Sequence, residues 1–439
     1  MKGELTFQTR REFLRTTLAG GALSWSVPAF LANTLTALEG EAADAAIQKA
    51  SGRDSNILVV LQMAGGNDGL NTIVPYSNDH YHRARPRLGV REVLKIDDTA
   101  GFNESLAGFK ALYDAGHLSV VQGVGYPNPN RSHFRSTEIW QTAVDADQVE
   151  RHGWLGRYFD NTCAGCDPTI AVNIGRQMPQ AFAAKTPTGV SLDNPQNYRF
   201  LSPEKAEPGK MSSAEESFRK LNQEEMVENP GGSVGAISGS IKHGGSALDF
   251  LERTALDAQV SSDRIRAIAG RFESRGGYPA SQLGNALKLV AGLIGGGLET
   301  RVFYVSQGGY DTHTNQAGAH DRLLKDLGDS VKAFMGDIEA QGNLPRVLLM
   351  TFSEFGRRVA ENASGGTDHG AAAPMFLAGG KVKAGLLGEA PGLAPGELFQ
   401  GDLKYKIDFR SVYAAVLEGW LKTPSRPILG KAFPPFRFL

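Results

Sequence analysis

The run Val347–Thr351 is apolar and β-branched at its start. It follows Pro345 and ends abruptly on Ser353-Glu354-Phe355-Gly356-Arg357. A short apolar run bounded in this way predicts a buried strand. A loop rich in Gly, Ser and Asn follows, then Thr367-Asp368-His369-Gly370, then a second apolar run, Pro374–Ala378. Open α/β sheets bind ligands beyond the carboxyl ends of their strands, and Glu354 and His369 stand there. A Glu in that place can simply cap a helix, and a His can sit idle in a loop. The functional reading gains weight because two other strand ends carry similar chemistry.

The first is Asn56–Met63, a continuous apolar run that predicts a central strand. It runs into Ala64-Gly65-Gly66-Asn67-Asp68-Gly69, where the glycines allow a sharp turn and leave Asp68 bare at the strand's end. An Asp-Gly turn is the structural alternative. The second is Arg301–Ser306, which leads into Gln307-Gly308-Gly309-Tyr310-Asp311-Thr312-His313. Asp311 and His313 in such a turn can meet one cation, and imidazole with carboxylate suits zinc, manganese or iron.

Between these strands the chain reads as helices and further strands. Leu106–Ala115, Trp154–Asp160, Ala247–Phe272, Gln282–Ile294 and His320–Gln341 have helical character; Leu118–Gly123 and Thr169–Ile174 read as strands. His320–Gln341 carries Leu323, Leu327, Val331, Phe334 and Ile338 at helical spacing and feeds the strand Val347–Thr351, which predicts a right-handed crossover. Tyr405–Leu421 reads as an apolar helix with Asp408 near its start. After the strand Leu118–Gly123, two prolines and two asparagines forbid regular structure up to Asn130, and helical character begins near Ser132. A Ser there can cap the helix. It can equally act as a nucleophile, because the free N–H groups and the dipole favour an alkoxide and an incoming anion. Arg131 beside it suits an anionic substrate.

The chain has 439 residues, 41% apolar and 21% charged, with a net charge of −1 and no basic stripe. Nucleic-acid binding is not expected. Thr9-Arg10-Arg11-Glu12-Phe13-Leu14-Arg15 fits the twin-arginine export pattern. The weakly apolar Thr16–Leu31 that follows is too short, and too broken by Gly20, Gly21 and Pro28, to form a stable membrane span. Cleavage after Ala37 or Ala45 both fit. Residues 1–45 are thus expected to be signal and spacer, and 46–439 a single domain with an insertion at about 202–280, where Glu, Lys, Ser and Gly displace apolar periodicity. The only cysteines, Cys163 and Cys166, stand in Cys-Ala-Gly-Cys before Asp167-Pro168. A local disulfide is the expectation for an exported protein; a thioredoxin-like site wants a helix start instead, and a zinc knuckle lacks its other pair.

The order of these motifs resembles the alkaline-phosphatase-like superfamily of phosphatases, sulfatases and cofactor-independent phosphoglycerate mutases. The resemblance implies a three-layer α/β sandwich with a mostly parallel central sheet. It places Asp68 at the first-strand metal Asp, Ser132 near the nucleophile, Asp311 and His313 on one metal, and His369 at a later metal His. More closely, GGNDGLN, NRSHF, DTH, SEFGR and TDHG, spanning residues 56–421, resemble a bacterial family of twin-arginine-exported proteins of unknown function. The twin-arginine translocation machinery is then an expected partner, with no stable membrane anchor after cleavage. This sequence departs from the superfamily pattern: Glu354 replaces an Asp, Phe355 replaces a His, and Asp311 and His313 are two apart rather than four. Asp368 is available to replace the missing ligand, and Thr72 is the alternative nucleophile.

The function implied is a periplasmic metal-dependent hydrolase of a small anionic ester, phosphate or sulfate. Asp311, His313 and His369 would hold one cation, and Glu354 and Asp68 a second, with the pair about 3.5–4 Å apart. One or two divalent metals are expected, with zinc, manganese, calcium and magnesium all open. Arg131 or Arg357 would bind the substrate anion. The alternative is a non-catalytic binding or scaffold protein on the same fold with a degenerate or structural metal site, which Phe355 favours.

Overall fold

The computed structural model describes residues 55–164, 166–186, 188–194, 264–270 and 274–439. The export pattern, both cleavage positions, and most of the insertion and of Ala247–Phe272 lie outside the described residues. A central sheet is built from β1 (Ile57–Met63), β2 (Leu118–Gly125), β3 (Ala171–Ile174), β4 (Val190–Leu192), β5 (Val302–Gln307), β6 (Val347–Phe352), β7 (Ala373–Gly379), β8 (Gly385–Leu387) and β9 (Ile407–Asp408). The order is β8-β2-β7-β6-β1-β5-β3-β4, with β9 also on β2. Pairing is parallel except where β7 meets β2 and β6.

The long apolar runs became the middle of the sheet because both of their faces are covered. Ile57, Val59, Leu61 and Met63 of β1 pack with residues of the helices α1 (Ala107–Asp114), α4 (Gln282–Gly295) and α5 (Gln316–Ala340). Leu58 and Val60 pack on the opposite face with residues of α2 (His133–Thr142), α3 (Trp154–Thr162) and α6 (Phe409–Ala415). These are the three layers expected. β7 is the exception in direction for a simple reason. After β6 the chain makes the antiparallel hairpin Arg357–Glu361/Thr367–His369, without a crossover helix, and re-enters the sheet from the edge it left. His369 therefore stands at the same edge as the ends of β1, β2, β5 and β6.

Several elements differ from expectation. The polar stretch after Glu354 is that hairpin rather than an irregular loop. β4, β8 and β9 are three residues or fewer and carry too little pattern to be read. The expected helix Tyr405–Leu421 begins later: Asp408 ends β9, and its carboxylate accepts from the Arg410 N–H as the cap of α6. Cys163 and Cys166 form a disulfide just after α3. Among the described residues no helix is long and apolar enough to cross a membrane.

α1 and α5 cross in backbone contact at Gly108, where a Cβ would stand 2.1 Å from the Gly328 carbonyl oxygen. Gly108→Ala is therefore expected to lose about 1–3 kcal/mol or more through overpacking. Urea unfolding of the variant beside Gly116→Ala measures this; Gly116 has open space but a positive φ, and so reports backbone strain without a clash.

Candidate metal centre

Four loops converge at the carboxyl edge of the sheet. They meet backbone to backbone, which is what the glycines permit. Gly65 has φ +122°, and a Cβ there would lie 2.4 Å from the Asp311 nitrogen. The side chain that binds the loops together is Arg357, which is fully buried. Its Nε donates to the Gly66 carbonyl at 2.7 Å and its Nη1 to the Thr367 carbonyl at 2.9 Å. Nη2 donates to the Gly65 carbonyl, to the Tyr310 carbonyl at 3.0 Å and to Asp311 Oδ1 at 2.8 Å. Arg357 is 1% exposed and its donors are engaged, so the expectation that it binds substrate is corrected: it is an internal tie.

Asp311 lies at the centre of the site. Its Oδ1 is 3.1 Å from His313 Nε2 and 3.3 Å from His369 Nε2, and its Oδ2 is 3.5 Å from His133 Nε2. Burial alone would raise its pKa. The hydrogen bond from Arg357, with His369 and His313, instead holds it at about 2, so it is a carboxylate at neutral pH. His369 Nδ1 donates to the Arg131 carbonyl at 2.8 Å, because a carbonyl can only accept. That leaves the His369 Nε2 lone pair facing the cluster. Burial, assisted by Arg357 and His133, lowers the His369 pKa against the pull of the Arg131 carbonyl and Asp311. The neutral ring is the form that binds metals.

His133, the first residue of α2, was not picked out by the sequence reading. Its Nδ1 donates to Glu354 Oε1 at 2.9 Å, and its Nε2 is buried with no hydrogen-bond partner. The ligand atoms of His133, Asp311 and His369 all lie within 4.8 Å of one another. His313 Nε2 adds a further nitrogen 2.9 Å from His369 Nε2. Atoms bound about 2.1 Å from a tetrahedral zinc stand roughly 3.4 Å apart, so these separations and the orphaned His133 nitrogen fit a cation.

The second cation expected from Asp68 and Glu354 does not fit. Asp68 caps the short helix Gly69–Thr72, pairs with Arg85 Nη1 at 2.7 Å and accepts from Gln316. Burial pushes its pKa up, but Arg85, with His320 and Gln316, brings it below the ordinary value. Glu354 Oε1 accepts from both His133 and the Gly65 N–H at 2.8 Å, so Glu354 orients a ligand and is not placed as one. Asp368 is exposed, accepts from Asn362 at 3.2 Å and lies 3.5 Å from His313 Nδ1, behind the ring nitrogen that faces the cluster. Ser132 is the exposed N-cap of α2, its side chain makes no cap bond, and it sits between Arg131 and His133. Thr72 is buried and donates to the Asp68 carbonyl, so it is not available as a nucleophile. Arg131 is about one-third exposed and pairs with Asp402.

The fold and this cluster define an α/β protein with a histidine–aspartate cluster, a candidate metal-ligand set, at the carboxyl ends of a mostly parallel sheet. The chain belongs to the family described as Protein of unknown function (DUF1501), whose model matches residues 55–428. No curated protein matches it in sequence. Similar solved structures include the alkaline phosphatase from the Antarctic bacterium TAB5, with 9% identity over 74% of this chain and 92% of that one and a TM-score of 0.31. The PsFucS1 sulfatase from Pseudoalteromonas sp. matches at 10% identity over 83% and 69%, with a TM-score of 0.32. The C-terminal periplasmic domain of EcEptC from Escherichia coli, solved with zinc, matches at 12% identity over 76% and 78%, with a TM-score of 0.35. Likenesses this weak do not carry an activity to this chain.

Arg357→Lys keeps the charge but cannot reach five acceptors. It is expected to lose at least about 2 kcal/mol by leaving loop carbonyls unpaired, measured by chemical denaturation. Two buried groups behind this cluster contribute to the pH dependence of stability. Burial lowers the pKa of His320, which faces Asn67 Oδ1 at 3.0 Å, so protonation favours the unfolded chain as pH falls below about 6.5. The depressed pKa of Asp68 adds stability above about pH 4 that is lost as pH falls through its folded value. In a melting series, His320→Gln should flatten the upper limb in part, with the His369 contribution left, and spare the lower limb; an unchanged upper limb would contradict this assignment.

Proposed function

We propose that the protein is an exported metal-dependent hydrolase of an anionic ester, phosphate or sulfate. The observation that carries this reading is the buried, unpartnered Nε2 of His133, facing Asp311 beside His369 at the mouth of four converging loops. Two imidazoles and a carboxylate suit zinc, manganese or iron better than calcium or magnesium, which prefer all-oxygen sites. When bound, such a cation supplies Lewis-acid polarisation of the ester.

This chain's own residues would do the rest. Glu354 holds the His133 Nδ1 proton and the Arg131 carbonyl holds that of His369, so both rings keep their inward lone pairs. Ser132 offers an exposed hydroxyl at the N-terminus of α2, where unpaired N–H groups favour a developing anion. The motif order shared with phosphatases and sulfatases supports an anionic ester. The twin-arginine pattern at Thr9–Arg15 supports a periplasmic location reached through the twin-arginine machinery.

One observation favours a second reading, a structural metal in a non-catalytic binding protein. His313 Nε2 is close enough to Asp311 and His369 to fill a fourth position, and closed four-ligand sites are typically structural. Elemental analysis and hydrolysis of p-nitrophenyl phosphate and sulfate separate the two. The hydrolase reading expects about one equivalent of transition metal, its loss in His369→Ala, and a 10–100-fold weaker metal affinity in Glu354→Gln. Ser132→Ala should keep the metal and lose turnover. Metal without turnover, with melting temperature falling in His313→Ala, would establish the structural reading instead. Folded protein with no metal would sink both.

A further inference from the structure

Asp402 is the least explained charge in the described structure. It is fully buried, yet it sits between two arginines that are each about one-third exposed. Its Oδ2 accepts from Arg131 through Nε at 2.9 Å and through Nη2. Its Oδ1 has no hydrogen-bond partner and lies 3.5 Å from Arg358 Nε. Arg358 is otherwise held by the Gln400 carbonyl, which accepts from its Nη2 at 3.2 Å. Among the described residues neither Nη1 group donates a hydrogen bond, and two guanidinium charges share one carboxylate, an excess of one positive charge.

The location gives this arrangement meaning. The Arg131 carbonyl meets His369, while its guanidinium turns to Asp402. Arg358 follows Arg357, the tie of the metal loops. Arg131 therefore adjoins the candidate metal centre through its backbone, and Arg358 through its chain neighbour Arg357. Planar guanidiniums with free edges are matched to carboxylate, phosphate or sulfate oxygens.

We propose that Arg131 and Arg358, positioned by Asp402, form a subsite for a second anionic group on the substrate, separate from the ester group at the metal. The substrate class is then an ester whose alcohol or acyl part carries its own fixed negative charge. This rests on the hydrolase reading for the word substrate, but the subsite itself does not require turnover.

The test uses the full-length protein, stripped of metal with chelator so that the metal centre does not compete, and titrates inorganic phosphate by calorimetry. Phosphate should bind the wild type, and Arg131→Gln and Arg358→Gln should each weaken it about tenfold or more. Asp402→Asn is the decisive variant. Removing a negative charge should tighten phosphate binding if only net charge matters, whereas a positioning role requires binding to weaken. In Arg358→Gln, whose partly exposed side chain makes a folding defect unexpected, KM for an ester bearing a second charge should rise with kcat kept. No phosphate binding to the wild type, unchanged binding in both arginine variants, or tighter binding in Asp402→Asn would each overturn the subsite. Phosphate binding that depends on the arginines, with no hydrolysis of any ester, would leave the subsite standing and remove the hydrolase.

Discussion

The buried guanidinium of Arg357 touches each loop that builds the candidate metal centre except the one before α2. It reaches Gly65 and Gly66 after β1, Tyr310 and Asp311 after β5, and Thr367 in the hairpin. Arg357 supplies donors to the carbonyls of Gly65, Gly66 and Thr367, and a buried acceptor left without a donor costs about 1–3 kcal/mol. One planar cation with five donors satisfies them and fixes their spacing. It also orients Asp311 and keeps it ionised. The remaining loop is bound through His133 to Glu354, and through Ser136 and the Glu354 carbonyl. Strand, loop and ligand geometry thus depend on the same two residues, Glu354 and Arg357, at the end of β6.

Four carboxylates near this edge show how neighbours divide one chemistry into different roles. Asp311 is about half exposed and holds three imidazoles around it, so it can face a cation. Glu354 is buried and spends its Oε1 on a backbone N–H and on His133, so it sets a tautomer. Asp68 is buried against Arg85 and belongs to an internal ion pair, where replacing one partner is destabilising far beyond what the pair itself contributes. Asp402 is buried but only half satisfied, and burial raises its pKa against the pull of Arg131 and Arg358.

The direction of the strands assembles these residues. With β1, β2, β5 and β6 parallel, their carboxyl ends share one edge, and the one antiparallel strand, β7, brings His369 back to it. The short antiparallel hairpin before β7 is what makes the return possible, and it supplies Arg358 beside Arg357.

The amino-acid sequence by itself determined the sheet core, the helices that cover it and the strand ends at which function would lie. Apolar runs such as Val347–Thr351 and the periodic α5 carry that information locally. Asp311, His313 and His369 were legible in the same way, because their residue types suit a cation and they stand in turns after strands. The tertiary structure alone decided which charges face the site. Nothing in the sequence pairs Asp68 with Arg85, buries Arg357, turns Glu354 under His133 or sets Asp402 between two arginines. Those contacts join residues as far as 292 positions apart. A side chain's role depends on burial and on the partner across the fold, and neither is written in local pattern.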